Sequence, residues 1–284
     1  MPAGLIWGEA SKRSICHAGR IDGKVEAAMK WMHALVGRER TREADQTLGL
    51  SLAFVAGAAN AGGFLAVGQY TSHMSGIVSA MADQLVLGNL KLLLAGLGAF
   101  ICFAAGAATS SLLINWARRR RMHSEYALSL LLEAVLMLGF GLLGGWLSKL
   151  SGFFLPFTVM WLCYLMGLQN AIVTKLSSKR IRTTHVTGLV TDIGIELGRL
   201  LYWNRHSDAA GMPRVVADRS LLALNLGLLS LFFSGGIVGA WAFQRAGFVA
   251  TVPLALFLLL LAVMPVWEDV QVRGRLLRLR YSRR

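Results

Sequence analysis

The chain reads as an all-α membrane protein: six transmembrane helices arranged as two inverted three-helix repeats, each with a re-entrant or interfacial half-helix. Three observations predict this. Six apolar stretches of 19–23 residues cover 48–67, 92–114, 127–147, 153–173, 221–243 and 248–266. Basic residues alternate between dense and sparse from one connection to the next. A nine-residue polar motif occurs twice, as Thr71-Ser-His-Met-Ser-Gly-Ile-Val-Ser79 and Thr183-Thr-His-Val-Thr-Gly-Leu-Val-Thr191.

The apolar stretches settle the class. At 1.5 Å rise per residue, roughly 20 residues cross the ~30 Å hydrocarbon layer. A 284-residue soluble protein has no core large enough for six such helices. Orientation follows from charge, because Lys and Arg mark cytoplasmic connections. Before the first stretch, between the stretches and after the last, Lys and Arg number 8, 1, 4, 1, 8, 1 and 6. Both termini are therefore expected on the cytoplasmic side, with six spans. The net charge of +14 is accounted for by this pattern, so no nucleic-acid partner is needed.

Residues 1–47 precede the first stretch as a polar, charged N-terminal arm without the apolar region of a signal peptide. Residues 25–36 have the spacing of an amphipathic helix on the inner surface, and a disordered arm fits the composition equally. The first repeat occupies 48–148 and the second 149–267, with a basic tail at 268–284 that suits anionic lipid. Cys16, Cys102 and Cys163 form no paired framework, so structural disulfides are not expected.

Three spans per repeat is an odd number, so the second repeat enters the membrane the other way up. That is the pattern of an inverted-topology repeat. Each motif copy follows an apolar stretch that carries an Asn-Ala pair, Asn60-Ala61 and then Asn170-Ala171. Gly62-Gly63 predicts a break or kink late in the first span, and Gln169-Asn170 weakens the fourth span at the matching place. Segments 72–87 and 184–201 are moderately apolar and helix-compatible, and are expected as half-helices entering from opposite sides. On a helix His185, Gly188, Asp192 and Glu196 fall on one face. Small residues at Gly141, Gly144, Gly235 and Gly239 predict close helix packing.

Around these motifs the chain resembles the YoaK-like family of bacterial membrane proteins, whose molecular function is undefined. The resemblance is carried by Asn60 to Asn89, with the Thr-x-His-Met-Ser-Gly core. It continues in Met166-Gly-Leu-Gln-Asn-Ala171 and in Arg182-Thr-Thr-His-Val-Thr-Gly-Leu-Val-Thr-Asp-Ile-Gly-Ile-Glu196, and covers roughly 46–267. It implies an inner-membrane location and six spans, and supplies no substrate, cofactor or catalytic residue.

A half-helix N-terminus within a membrane presents unpaired N–H groups and the positive end of the helix dipole, which suits an anion or carboxylate. Thr71, Ser72, His73 and Ser75 stand at one such end. Thr183, Thr184, His185 and Thr187 stand at the other, preceded by Arg180 and Arg182. With Asn60 and Asn170, these are the candidate solute-binding residues; the bland reading is that the Ser and Thr side chains cap their helices. The short connection after Gly68 reaches the bilayer centre only if the first span breaks at Gly62-Gly63. His73 and His185 are a thin ligand set for a metal, so no metal is expected, and proton relay suits them better.

Glu133 lies six residues into the third span, where a charged carboxylate costs ~2.5 kcal/mol or more. It is expected to face the protein interior, protonated or paired with Asn115, Arg118 or Arg182. Glu133 and Asp192 are the candidates for proton coupling, whereas Glu196 and Arg199 have the i,i+3 spacing of an ion pair. The sequence thus favours a transporter or channel for a small polar or anionic solute. A non-transporting scaffold acting through the N-terminal arm is the alternative. No GxSxG elbow, HExxH helix or P-loop appears, so an enzyme is not expected and no cofactor is implied.

Overall fold

The computed structural model describes residues 42–120, 122, 125–147, 154–176, 186–203, 214–263 and 266. The N-terminal arm, the basic tail and the stretch containing Arg182, Thr183, Thr184 and His185 lie outside the described residues. The described part is all helical: α1 (Arg42–Val67), α2 (Met74–Val86), α3 (Leu90–Arg119), α4 (Ala127–Leu147), α5 (Phe154–Leu176), α6 (Val186–Leu201) and α7 (Arg219–Ala246). A 3₁₀ turn, Gly247–Ala250, leads into α8 at 251–263. Among the described residues five apolar helical segments are long enough to cross a membrane; the last, Arg219–Val263, is 45 residues long and is interrupted at Gly247 (φ +59°). This is an all-α membrane protein.

Local chemistry sets the ends of these elements. Gly68 and Gly88 adopt φ of +75° and +71°, a backbone region that glycine enters without steric cost, and they turn the chain on either side of α2. Asn89 caps α3 by accepting from the Leu92 N–H at 3.3 Å, and Asp218 caps α7 by accepting from Ser220 and Leu221, both at 3.0 Å.

The expected break at Gly62-Gly63 does not occur. Helix α1 continues to Val67, and α5 likewise runs unbroken through Gln169-Asn170. The two glycines serve packing: a Cβ on Gly62 would meet Phe243 at 3.4 Å, and one on Gly63 would meet Leu162 at 3.2 Å. A glycine inside a helix weakens it by about 1 kcal/mol, which flanking contacts offset without any kink.

The core is built from paired helices. Helix α1 packs along α7 and α3 packs along α5, while α2 lies on α3 and α6 on α7. Both long pairs rely on glycine. A Cβ on Gly57 would lie 2.8 Å from the Phe232 carbonyl carbon, and one on Gly167 would lie 2.8 Å from that of Phe103. Reciprocally, a Cβ on Gly235 would meet the Phe54 backbone and one on Gly106 the Tyr164 backbone, each 2.9 Å from the carbonyl carbon. Gly57 precedes Gly167 by the same interval as Phe54 precedes Tyr164, and Phe103 precedes Phe232 by the same interval as Gly106 precedes Gly235. The two crossings are therefore made by equivalent residues.

Gly235 lies over Phe54 and Gly239 over Ala58, so α1 and α7 run parallel. Gly98 lies against Met160, Gly106 against Tyr164, and Asn115 accepts from Lys175, so α3 and α5 are parallel too. Helix α4 runs antiparallel to α5, since Trp161 donates to the Leu136 carbonyl and Tyr126 to the Lys175 carbonyl. Leu52 and Ala56 of α1, Leu130 and Met137 of α4, Leu168 of α5, Leu228 of α7 and Leu258 of α8 share one buried cluster. Large apolar side chains on α3, including Leu92, Ile101 and Leu112, point away from the protein.

Candidate functional site

After Gly68 the chain turns back along α1 rather than leaving it. Ser72 Oγ donates to Asn60 Oδ1 at 2.8 Å. Asn60 lies seven residues before the end of α1, about 10 Å down the helix. Four residues of extended chain span up to ~13 Å, so Ser72 reaches that depth beside an unbroken α1. This removes the premise that the short connection demands a broken span. The chain then enters α2 at His73, whose imidazole makes no cap hydrogen bond to its helix. The ring folds over Gly76 instead; a Cβ there would sit 2.9 Å from His73 Nε2 and closer still to the ring carbon Cδ2.

A cavity of about 710 Å³ opens where these elements meet. It is lined by Asn60 of α1, Tyr70, Ser72 and His73 of the connection, Met74 and Ser75 of α2, Phe103 of α3, Asn170 of α5, Val186 and Thr187 of α6, and Phe232 of α7. Four equivalent pairs stand among them: Asn60 with Asn170, Met74 with Val186, Ser75 with Thr187, and Phe103 with Phe232. Met74 and Ser75 are the first residues of α2, as Val186 and Thr187 are of α6, so two helix N-termini open onto one space. Each contributes a partial positive charge from its first-turn N–H groups. Among the described residues no Asp, Glu, Lys or Arg lines the cavity.

The candidate residues divide accordingly. Asn60, Ser72, His73, Ser75, Asn170 and Thr187 line the cavity. Thr71 does not: it is 1% exposed, packs near Gly63, and its hydroxyl has no partner among the described residues. Arg182, Thr183, Thr184 and His185 lie outside the described residues; Thr184 and His185 hold the motif positions that Ser72 and His73 occupy in the first copy.

The acidic residues lie apart from the cavity. Glu133 is fully buried on α4 and neither carboxylate oxygen has a partner among the described residues. Two of the expected partners are engaged elsewhere, since Arg118 pairs with Glu125 at 2.7 Å and Asn115 accepts from Lys175 at 3.3 Å, while Arg182 lies outside the described residues. One turn before Glu133, Ser129 donates to the Ser110 carbonyl at 3.4 Å, so Glu133 belongs to the face that α4 turns toward α3. Asp192 is exposed on α6, because the buried stripe of that helix runs through Leu189, Ile193 and Glu196. Glu196 pairs with Arg199 at 2.7 Å, as its spacing predicts, and also accepts the Asp218 N–H at 2.7 Å. It thereby ties α6 to the start of α7.

Tyr70, Met74, Val186, Phe103 and Phe232 are lining residues that sequence reasoning did not name as candidates, and the two phenylalanines form an equivalent pair outside the duplicated motif. A signal for them exists: Phe103-Ala-Ala-Gly106 and Phe232-Phe-Ser-Gly235 share the pattern Phe-x-x-Gly, just as Gly57-x-x-Asn60 and Gly167-x-x-Asn170 share Gly-x-x-Asn.

The family model described as "Protein of unknown function (DUF1275)" matches residues 48–264. No curated protein and no solved structure matches the chain. The chain belongs to the DUF1275 family, of which the YoaK-like proteins are members.

Proposed function

We propose that this member of the DUF1275 family is a transporter of the bacterial inner membrane. It takes a small polar or anionic solute, held between the N-terminal ends of α2 and α6. In this reading the chain crosses the membrane six times with both termini cytoplasmic, α7 and α8 being separate crossings joined at Gly247. The two repeats are inverted. Helices α1 and α7 pack in parallel although one is the first span of its repeat and the other the second, which follows if consecutive spans alternate and the second repeat is upside down. The short helices α2 and α6 then enter from opposite faces.

One observation carries the reading: residues at equivalent places in both repeats line a single cavity. A site shared by inverted repeats presents similar groups to either side, which is the arrangement that alternating access needs. Its chemistry suits a small polar guest. Two carboxamides and the Ser75 and Thr187 hydroxyls offer donors and acceptors, and the two helix N-termini favour an electron-rich group. Helices α1 and α7 carry one wall, and α3 and α5 the other. A rocking of one pair against the other would open the cavity to each face in turn.

The test is a thermal-shift screen of the purified protein against polar metabolites, followed by uptake of the hits into proteoliposomes. Asn60→Ala and Asn170→Ala are expected to weaken both the shift and the uptake about tenfold, the scale of a lost buried hydrogen bond. Uptake that is unchanged in both variants would overturn the assignment of this cavity.

A further inference from the structure

The cavity's polar groups account for a small hydrophilic guest, but they leave Phe103 and Phe232 unexplained. These side chains sit at equivalent positions on α3 and α7, both reach the cavity, and neither has an aromatic partner among the described residues. Both rings pack against the buried hydrophobic cluster on one side, yet they stay partly exposed and border a space large enough for a bicyclic guest on the other. Their backbones sit at the two closest glycine-mediated helix crossings. The Phe232 carbonyl abuts Gly57 and the Phe103 carbonyl abuts Gly167, so neither helix can rotate its ring away without breaking a glycine-mediated crossing. The carboxamides Asn60 and Asn170 lie three residues beyond those glycines, one turn along the same helices.

Two held rings and two amides therefore face one volume. An aromatic face attracts a flat unsaturated ring by offset stacking, and a carboxamide reads hydrogen-bonding groups on a ring's edge. We propose that the solute carries a flat, unsaturated ring with hydrogen-bonding substituents, its faces against Phe103 and Phe232 and its edge toward Asn60 and Asn170. The inference rests on the reading that this cavity holds the transported solute, and adds the class of solute.

The experiment compares ring and ringless probes that share a head group: nicotinamide against acetamide, and nicotinate against acetate. Binding to the purified full-length protein is measured by calorimetry. The ring probes are expected to bind at least about tenfold more tightly than their ringless partners, the scale of one stacking contact. Phe103→Leu and Phe232→Leu, which keep apolar bulk, should each remove about fivefold to tenfold of that preference, and Phe103→Tyr should restore it. Asn60→Ala should weaken ring and ringless probes alike. Size-exclusion profiles and thermal unfolding identify any variant that fails to fold, and the probe comparison on the unsubstituted protein stands without them. Equal affinity for ring and ringless probes, with both sensitive to Asn60→Ala, would refute the ring and leave the transport reading in place. A ring preference that survives both leucine substitutions, or no saturable binding of any probe, would refute the proposal outright.

Discussion

The close crossings make a quantitative prediction for Gly167→Ala. The added methyl would lie 2.8 Å from the Phe103 carbonyl carbon and 3.0 Å from its Cα. Carbon atoms in favourable contact stand about 3.5–4.0 Å apart, so α5 and α3 must separate by roughly 0.7 Å or more. The obstacle is backbone on backbone, with no flexible side chain to swing aside. Overpacking of this kind costs about 1–3 kcal/mol, of which the better helix propensity of alanine offsets up to about 1 kcal/mol. The same geometry recurs at Gly57, so Gly57→Ala should cost a similar amount. The two sites lie in different helix pairs and their costs should add in the double variant. Gly194→Ala and Gly198→Ala are internal controls: no atom lies within 4 Å of a Cβ at either place, and both should be neutral or stabilising by up to about 1 kcal/mol. Equilibrium unfolding of the detergent-solubilised protein measures all five. Gly167→Ala as mild as Gly194→Ala, or Gly57→Ala and Gly167→Ala differing by more than about 2 kcal/mol, would refute equivalent crossings.

The packing and hydrogen bonds of the acidic residues and of His73 set further outcomes. Glu196→Ala leaves the Asp218 N–H without its acceptor and Arg199 without its partner, and should destabilise the protein by about 1–3 kcal/mol in the same assay, whereas Asp192→Ala should be near neutral. Gly76→Ala places a methyl against the His73 ring, so it should displace the imidazole and weaken solute binding while unfolding temperature falls little. Glu133→Gln keeps the volume of a fully buried side chain and removes its ionisable group. Folding should be retained while the pH dependence of uptake flattens, as read by uptake under an imposed pH gradient; an unchanged pH profile would exclude Glu133 from proton coupling.

Much of this was legible in the chain. The duplicated motif matched Ser75 with Thr187 and the repeated Asn-Ala pair matched Asn60 with Asn170, since polar residues repeated within apolar surroundings stand out in the sequence. Phe103 and Phe232 were hidden because a phenylalanine in an apolar span looks the same whether it faces lipid, core or cavity. Only the Phe-x-x-Gly repeat separates them, and its meaning depends on a crossing partner that lies far away in sequence. Gly62-Gly63 misled for a related reason. Two adjacent glycines suggest a bend, yet whether a helix bends depends on what packs against it, and here Phe243 and Leu162 do. The short connection after Gly68 was expected to need a broken span because its folding back along an intact α1, where Ser72 meets Asn60, cannot be read from spacing alone. The acid at position 133 turns inward as expected, but two of the partners expected for it are engaged elsewhere, Arg118 by Glu125 and Asn115 by Lys175.

The central claim is that α2 and α6 present their N-terminal ends to one cavity that each face of the membrane reaches in turn. Single cysteines at Ser75 and Thr187, in a background lacking the native cysteines, test it most directly. Each is labelled in oriented vesicles with a membrane-impermeant thiol reagent applied from one side or the other. The account predicts that both positions react from both faces, and that a bound solute shifts the two together. Position 75 reacting from one face alone while position 187 reacts only from the opposite face, with solute protecting neither, would contradict it.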